Sequence, residues 1–256
     1  MLELEQIESF YPENLRHFKK NILREYFRYK ILDIIFNSAL SSKLVFMGGT
    51  ALRIIYGNKR FSEDLDFDNF GIDFSDFEEL SFIIQKKISL EGYKVETSVK
   101  KRTAFIMSLK IKDLLYNYGL TSHPEQKIII EIDTENQKFN YTIDKKIINK
   151  FDVFTSINVV PKEILLSQKI FSVLNRNRIL GRDLYDIIFL LGMAKPDKNY
   201  LINKIGIGDI EKVKKLLLSK INGLGLIKTS QDVKPFLFDP QDAKKIELFP
   251  DYLKSL

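Results

Sequence analysis

The sequence predicts an α+β fold in which a mixed sheet with packed helices comes first and helices alone follow. Between residues 43 and 132, short apolar or alternating segments are typical of strands. Apolar residues at helical spacing occur before, among and after these segments. After Pro161 only the helical pattern continues. We therefore expect two domains, residues 1–158 with a leading helix and residues 159–256.

The first elements alternate between helix and strand. Residues 13–40 carry apolar side chains at helical spacing, and residues 43–47 form a short apolar run that predicts a buried strand. Gly48 and Gly49 predict a tight turn, after which Thr50 is a suitable N-cap for a helix that ends before Gly57.

The remaining elements follow from the same two periodicities. A strand is expected at residues 65–67, a helix at 74–91, a hairpin from the alternating segments 95–99 and 105–111, and another strand at 128–132. Helices are then expected at residues 161–175, 183–192, 200–204, 209–222 and 240–248.

Composition excludes several classes of protein. Hydrophobic content of 45% and charged content of 29% are those of a globular chain, which excludes disordered and fibrous classes. Without cysteine the chain has no disulfide, thiolate zinc site or cysteine nucleophile. Its two histidines, His17 and His123, leave almost no material for an all-histidine metal site or a Ser-His-Asp triad. A bound metal should therefore be a hard cation with oxygen ligands.

Charge and hydropathy indicate the partners. No basic leader precedes an apolar run, and no apolar run approaches the roughly 20 residues of a membrane-spanning helix, so a cytoplasmic protein is expected. The net charge of +6 is clustered, as in the segment from Arg176 to Arg182, which suits a polyanion such as nucleic acid. A single cluster is more often ordinary solvated surface.

Two aspartates carry the strongest chemical signal. If residues 65–67 are extended, Asp64 and Asp66 lie on one face, where they repel each other unless a cation neutralises them. Mg²⁺ is the natural cation, because it takes few protein carboxylates and accepts phosphate oxygens. Gly48 and Gly49 expose backbone N–H groups at a helix N-terminus, which suits a phosphate. An isolated Asp-x-Asp is usually a solvated turn, but its combination with the Gly-Gly-Thr turn favours a site.

Other acidic and basic residues are weaker candidates. Glu131 and Asp133 share a strand face, and either could be a third carboxylate, as a base or as a metal ligand, or simply a solvated strand end. Lys169 lies along an apolar helix face, where it covers the core or is directed at an anion. Asp186 lies beside an apolar stripe and needs a partner such as Lys169, Arg178 or Arg182. Asp183 could simply be an acid that caps a helix or is favoured by the helix dipole at its N-terminus.

These residues carry a resemblance to a known family. Gly-Gly-Thr-Ala-Leu-Arg53, Arg60-Phe-Ser-Glu-Asp-Leu-Asp-Phe67, Lys169, Arg176 and Gly-Arg-Asp-Leu-Tyr-Asp186 resemble the AbiEii/AbiGii toxin family of nucleotidyltransferases over roughly residues 40–190. The resemblance implies a DNA polymerase beta-like nucleotidyltransferase core followed by an all-helical C-terminal domain. It also implies a toxin of a bacterial toxin–antitoxin or abortive-infection system, encoded beside its antitoxin.

The resemblance further implies a role for each candidate residue. Nucleotides would pass from a nucleoside triphosphate to an RNA acceptor end, with tRNA expected and Mg²⁺ or Mn²⁺ as cofactor. The implied roles are metal ligation by Asp64 and Asp66, phosphate binding by Gly48, Gly49 and Thr50, a triphosphate contact by Lys169, a distal catalytic acid at Asp183 or Asp186, and RNA backbone contacts by Arg176, Arg178 and Arg182. Two alternatives are a protein or small-molecule acceptor and an inactive nucleic-acid-binding homologue.

Overall fold

A computed structural model describes residues 2–256, which form seven strands, twelve α-helices and four short 3₁₀ turns. The strands are β1 (Leu44–Met47), β2 (Leu65–Asn69), β3 (Val95–Lys101), β4 (Phe105–Ile111), β5 (Ile128–Glu135), β6 (Asp144–Lys150) and β7 (Val153–Val159). The helices are α1 (Leu4–Ser9), α2 (Lys19–Phe36), α3 (Gly48–Tyr56), α4 (Phe74–Leu90), α5 (Leu114–Asn117), α6 (Lys162–Asn175), α7 (Gly181–Leu191), α8 (Lys198–Ile205), α9 (Ile210–Ile221), α10 (Leu226–Val233), α11 (Lys244–Glu247) and α12 (Phe249–Ser255). The 3₁₀ turns are Glu13–Leu15, Ser41–Lys43, Lys234–Phe236 and Pro240–Ala243.

All seven strands belong to one mixed sheet, in the order β3-β4-β5-β2-β1-β7-β6. The β1–β7 and β2–β5 pairs are parallel, and the other four pairs are antiparallel. Helices α2 and α4 pack on one face, where Phe36 and Phe77 meet Phe67 and Phe105. The apolar positions of the strands are buried on this face, so their alternating polar neighbours lie on the other. The mixed sheet of an α+β fold is thus confirmed.

The described residues group into two units. The first contains residues 1–56, 61–138 and 143–159, with the whole sheet; the second contains residues 57–60, 139–142 and 160–256. Apart from the two short segments, the second unit is helical. The division into domains of residues 1–158 and 159–256 stays a prediction, and it assigned both short segments to the first domain.

Several elements differ from the prediction. The pair β6 and β7 was not predicted, although Val153, Thr155 and Ile157 alternate, because lysines and asparagines obscure the pattern of β6. Helices α1, α5, α10 and α12 were also not predicted. Helix α3 begins at Gly48, so Thr50 lies in its first turn and the prediction that it is the N-cap was wrong.

A buried ionic cluster joins three elements of the first unit. Glu25 of α2 accepts hydrogen bonds from Arg53 of α3 at 2.9 Å, from Lys150 of β6 at 2.9 Å and from the hydroxyl of Tyr11 at 2.7 Å. Burial alone would raise the pKa of Glu25, but Arg53 and Lys150 outweigh it and lower the pKa to about 2. The cluster therefore needs Glu25 ionised.

We expect acid to remove the stabilisation that this cluster provides. Because the pKa of Glu25 is lowered from 4.5 to about 2, its contribution to the free energy of unfolding is complete above pH 4.5 and is lost as the pH falls toward 2. Glu25→Gln should cost on the order of 3 kcal/mol at pH 7 and less at pH 3, as measured by urea unfolding. An equal cost at both pH values would show that the charge of Glu25 contributes nothing.

Candidate active site

Four carboxylates lie close together on one face of two neighbouring strands in the first unit. In β2, Leu65 and Phe67 point into the core, which leaves Asp64 and Asp66 on the opposite face, both partly exposed. Strand β5 runs parallel to β2, and Asp66 is paired in register with Asp133. Leu65 pairs with Ile132 in the same parallel register. The residues one step earlier, Asp64 before β2 and Glu131 in β5, therefore also lie next to each other. The structure thus brings together Asp64, Asp66, Glu131 and Asp133.

The electrostatics of this carboxylate face favour a cation. Burial, together with the negative charges of Asp66 and Glu131, raises the pKa of Asp64 to about 6. Burial and the charges of Asp66, Glu131 and Asp64 raise the pKa of Asp133 to about 6 as well. In addition, Asp133 Oδ1 is buried and has no hydrogen-bond partner. A bound cation would relieve the repulsion and give this oxygen a ligand.

The donor set fits a magnesium ion. Residues 2–256 hold no ready-made group of three His, Asp or Glu side chains in metal-binding geometry. Mg²⁺ does not need one, because it typically uses one or two protein carboxylates and completes its shell with water and substrate phosphate oxygens. Asp64 and Asp66 supply such a pair, and the unpaired oxygen of Asp133 lies on the strand position next to Asp66.

The Gly-Gly turn approaches this carboxylate face closely. Gly48 has φ +76°, a conformation that favours glycine, and a Cβ at this position would lie 2.0 Å from Asp66 Oδ2. The turn places the first residues of α3 beside Asp66. The N–H groups of a helix's first turn have no partners within the helix, so they are available to an anion. Gly48 is therefore needed for both its conformation and its lack of a side chain.

Two buried side chains hold the segment before Asp64. Thr50, which is 1% exposed, donates its hydroxyl to the carbonyl of Asp64, so this hydroxyl already has a partner other than phosphate. Arg28 of α2, which is 2% exposed, donates from Nε at 2.9 Å and Nη2 at 2.5 Å to the carbonyl of Glu63. Sequence reasoning did not identify Arg28. Its only signal was an arginine among the apolar positions of a predicted helix.

The other predicted polar residues form a cluster within the second unit. Asp186 is fully buried and accepts hydrogen bonds from Asn58 Nδ2 at 2.9 Å and from both Arg60 Nε at 2.7 Å and Arg60 Nη2 at 2.6 Å. Lys169 Nζ lies 2.8 Å from Asp186 Oδ2 and 3.9 Å from Asp183 Oδ1. Asp183 is also buried and pairs with Arg176 Nη1 at 2.5 Å.

This geometry favours a structural role for Asp186. Burial would raise its pKa, but Arg60 and Lys169 lower it below its ordinary value, so the carboxylate stays ionised. The role of Asp183 or Asp186 as a distal catalytic acid stays a prediction. Both carboxylates are surrounded by cations in this structure. The side chain of Lys169 remains 17% exposed.

The three arginines predicted to contact RNA also belong to the second unit. Arg176 is bound to Asp183 although its side chain is 46% exposed, and Arg178 is 79% exposed and 3.8 Å from Asp232. Arg182 is half-buried. Their contact with RNA stays a prediction.

We expect Asp186 to be required for stability of the second unit. Asp186→Asn keeps the shape but leaves Arg60 and Lys169 without a buried counter-charge, which should cost about 3 to 5 kcal/mol. Asp232→Asn, which removes an exposed partner of Arg178, is the matched control and should cost less than about 1 kcal/mol. Urea unfolding of both variants measures this, and equal small losses would contradict the structural role.

Comparisons with known proteins support the resemblance. The model of a family described as the nucleotidyl transferase AbiEii toxin of type IV toxin–antitoxin systems matches residues 30–246. Two solved structures from Helicobacter pylori share the fold at 18% identity and a TM-score of 0.55. These are JHP933, with 92% of this chain and 94% of that chain covered, and a putative nucleotidyltransferase, with 92% and 97% covered.

No curated protein matches the chain by sequence. At 18% identity the two structures show the fold alone. Among residues 2–256 the structure contains no helix with the length and apolar character that a bilayer span requires. The family match covers most of the 256 residues and includes the carboxylate strands, the Gly-Gly turn and the Lys169 helix. This chain therefore belongs to the AbiEii nucleotidyl transferase toxin family of type IV toxin–antitoxin systems.

Proposed function

We propose that this protein transfers nucleotides from a nucleoside triphosphate to the acceptor end of an RNA, with tRNA as the expected substrate. The observation that carries this proposal is the arrangement of Asp64, Asp66 and Asp133 on one sheet face, with the Gly48 turn packed against Asp66. Carboxylates that repel one another beside a helix N-terminus suit a metal-bound triphosphate, because the carboxylates attract the metal and the N–H groups attract the phosphates.

Asp64 and Asp66 would hold Mg²⁺ or Mn²⁺. The metal, when bound, would neutralise charge on the triphosphate and on the leaving pyrophosphate. The N–H groups of Gly48, Gly49 and Thr50 would orient phosphate oxygens. The triphosphate contact by Lys169, which the family resemblance implies, stays a prediction. Thr50 contributes its N–H only, since its hydroxyl holds the Asp64 carbonyl.

Asp133 is the better candidate for the third carboxylate. It is in register with Asp66, it is more buried than Glu131, and its Oδ1 lacks a partner. With a pKa near 6, Asp133 is suited to accept the proton of the acceptor hydroxyl at neutral pH. The hydroxyl oxygen then bonds to the α-phosphorus as the bond from that phosphorus to the pyrophosphate oxygen breaks. Glu131, one step away and exposed, would add negative charge.

The family implies a cognate antitoxin that restrains the activity. An activity that uses cellular triphosphates and tRNA belongs to the cytoplasm, which is where we place it. The net charge of the chain is +6. A basic chain suits an RNA acceptor better than an acidic chain would, because positive charge attracts the phosphate backbone.

The proposal predicts a transfer reaction that depends on Asp66. Purified protein is incubated with each labelled nucleoside triphosphate, Mg²⁺ and total tRNA, and label is followed on RNA and on protein. Asp66→Asn should lower transfer to RNA by on the order of 100-fold or more while leaving the melting temperature unchanged, since it removes one of several repelling carboxylates.

Glu135→Gln is the matched control, because Glu135 is an exposed carboxylate on the same face of β5, two residues after Asp133. It should retain transfer. Label on protein in place of RNA would overturn the RNA acceptor. Equal transfer by a folded Asp66→Asn variant would overturn the assigned site.

Gly48→Ala tests the contact between the turn and Asp66. Gly48 and Gly57 have nearly equal positive φ angles, +76° and +77°, so alanine at either should cost about 1 to 2 kcal/mol of stability. Only at Gly48 would the new Cβ collide with Asp66, whereas nothing lies within 4 Å at Gly57. Transfer should therefore fall sharply in Gly48→Ala and persist in Gly57→Ala, with melting temperatures as the stability readout. Equal transfer by both variants would contradict the role of the close approach.

A further inference from the structure

The face that carries the carboxylates continues across β3 and β4. Lys100 of β3 pairs with Ile106 of β4, Ile106 pairs with Asp133 of β5, and Asp133 pairs with Asp66. Residues paired in this way point to the same side of a sheet. Lys100 therefore lies in one row with two of the proposed active-site carboxylates, three strands from Asp66.

Two further rows continue the same pattern. Ser98 pairs with Ser108, which pairs with Glu131. In the next row Glu96 of β3 pairs with Lys110 of β4, which pairs with Ile129 of β5. Ser98 and Lys100 are exposed, and Ser108 and Lys110 are half-buried. We name these four residues, Ser98, Lys100, Ser108 and Lys110, the hairpin face.

The opposite side of the hairpin explains why it keeps this orientation. Met107, Leu109 and Ile111 of β4 alternate with the polar residues and are buried. Helix α4 packs against both strands on that side. A shift of register by one residue would expose these three side chains to water, so the lysines and serines are held on the carboxylate side.

The two lysines of the hairpin face differ in their neighbours, because Glu96 of β3 lies opposite Lys110 and acts on it electrostatically, whereas Lys100 lies opposite Ile106. In the described part of the chain, Lys94 pairs with Asp113, and Lys112 and Lys127 pair with Glu96. Lys100 and Lys110 form no salt bridge within residues 2–256. Neighbouring strands are about 4.8 Å apart, so Lys100 lies roughly 14 Å from Asp66 across the sheet. A few nucleotides of an extended strand cover this span.

We propose that the hairpin face binds backbone phosphates of the acceptor RNA strand and leads its end toward the carboxylates. This inference rests on the proposed function. Lys100 and Lys110 supply the charge that attracts phosphates, and Ser98 and Ser108 supply hydroxyl donors to phosphate oxygens. Such contacts fix the position of a strand without reading its bases.

The chemistry of the hairpin face favours a nucleic-acid backbone over a protein. Protein interfaces centre on buried aromatic or other apolar anchors with few charges. Here the hairpin face offers hydroxyls and two ammonium groups that form no salt bridge. The exposed carboxylate beside it, Glu96, is held by Lys112 and Lys127. Of the apolar side chains in these rows, Ile106 is half-buried and Ile129 is exposed. A polyanion satisfies both kinds of group.

The experiment compares two variants that each lose two positive charges. Lys100→Gln/Lys110→Gln alters the hairpin face, and Lys86→Gln/Lys87→Gln alters exposed lysines of α4, which packs on the other face of the sheet. Binding of fluorescein-labelled total tRNA is measured by anisotropy over a range of salt concentrations. Transfer of labelled nucleotide to tRNA is measured in parallel.

The salt slope is the slope of the logarithm of the tRNA affinity against the logarithm of the salt concentration. In the hairpin variant this slope should be less steep by about 1.5, because each phosphate contact contributes roughly 0.7 to 0.9. Its affinity at 0.1 M salt should fall roughly 10- to 30-fold. The α4 variant should keep the wild-type slope. Equal slopes in both variants, or no binding of tRNA by the wild type, would overturn the inference.

The two readouts separate this inference from the proposed function. If the wild type transfers nucleotide to tRNA while the hairpin variant binds and transfers like the α4 variant, the function stands and the hairpin face is excluded. If the wild type transfers nothing but the slope falls only in the hairpin variant, the hairpin face is supported and the proposed function fails.

Discussion

The repulsion among the carboxylates of β2 and β5 is the constraint on which the proposed site depends. Asp66 and Asp133 are held opposite each other although their charges oppose this arrangement. The opposing side chains enforce it, because Leu65 and Phe67 are buried and a slip of one residue would exchange them with the aspartates. Burial of the sheet core therefore stabilises an unfavourable cluster of charges, and the cluster in turn creates the affinity for a cation.

Backbone contacts give this cluster its geometry. The carbonyls of Glu63 and Asp64 are held by Arg28 and Thr50. Burial lowers the pKa of Arg28 to about 10, so the guanidinium remains charged at neutral pH and donates strongly to a carbonyl. The chain thus positions Asp64 through main-chain atoms, and the charge of Arg28 offsets only part of the burial and repulsion that raise the pKa of its carboxylate. A side-chain partner would have neutralised the charge that the site needs.

The sequence contained enough to predict five of the seven strands and the pair of aspartates, because apolar runs, period-two alternation and a Gly-Gly turn are local signals. It left Glu131 and Asp133 undecided, since only the register of β5 against β2 distinguishes them. The partner of Asp186 was sought among Lys169, Arg178 and Arg182. Lys169 is indeed a partner, but Arg60, which is 126 positions earlier, forms the bidentate pair. Long-range pairings of this kind leave no periodic trace in one sequence.

The two ionic clusters of the candidate residues have opposite charge balance. On the carboxylate face four neighbouring acidic groups gather, and two have raised pKa values because burial and repulsion outweigh the charge of Arg28, which acts on Asp64. Around Asp183 and Asp186, two carboxylates meet three cations, Arg60, Lys169 and Arg176. The first cluster therefore demands a cation, and the second can accept an anion through Lys169. Since an ammonium group has three donors, Lys169 can keep Asp186 while it binds a phosphate oxygen.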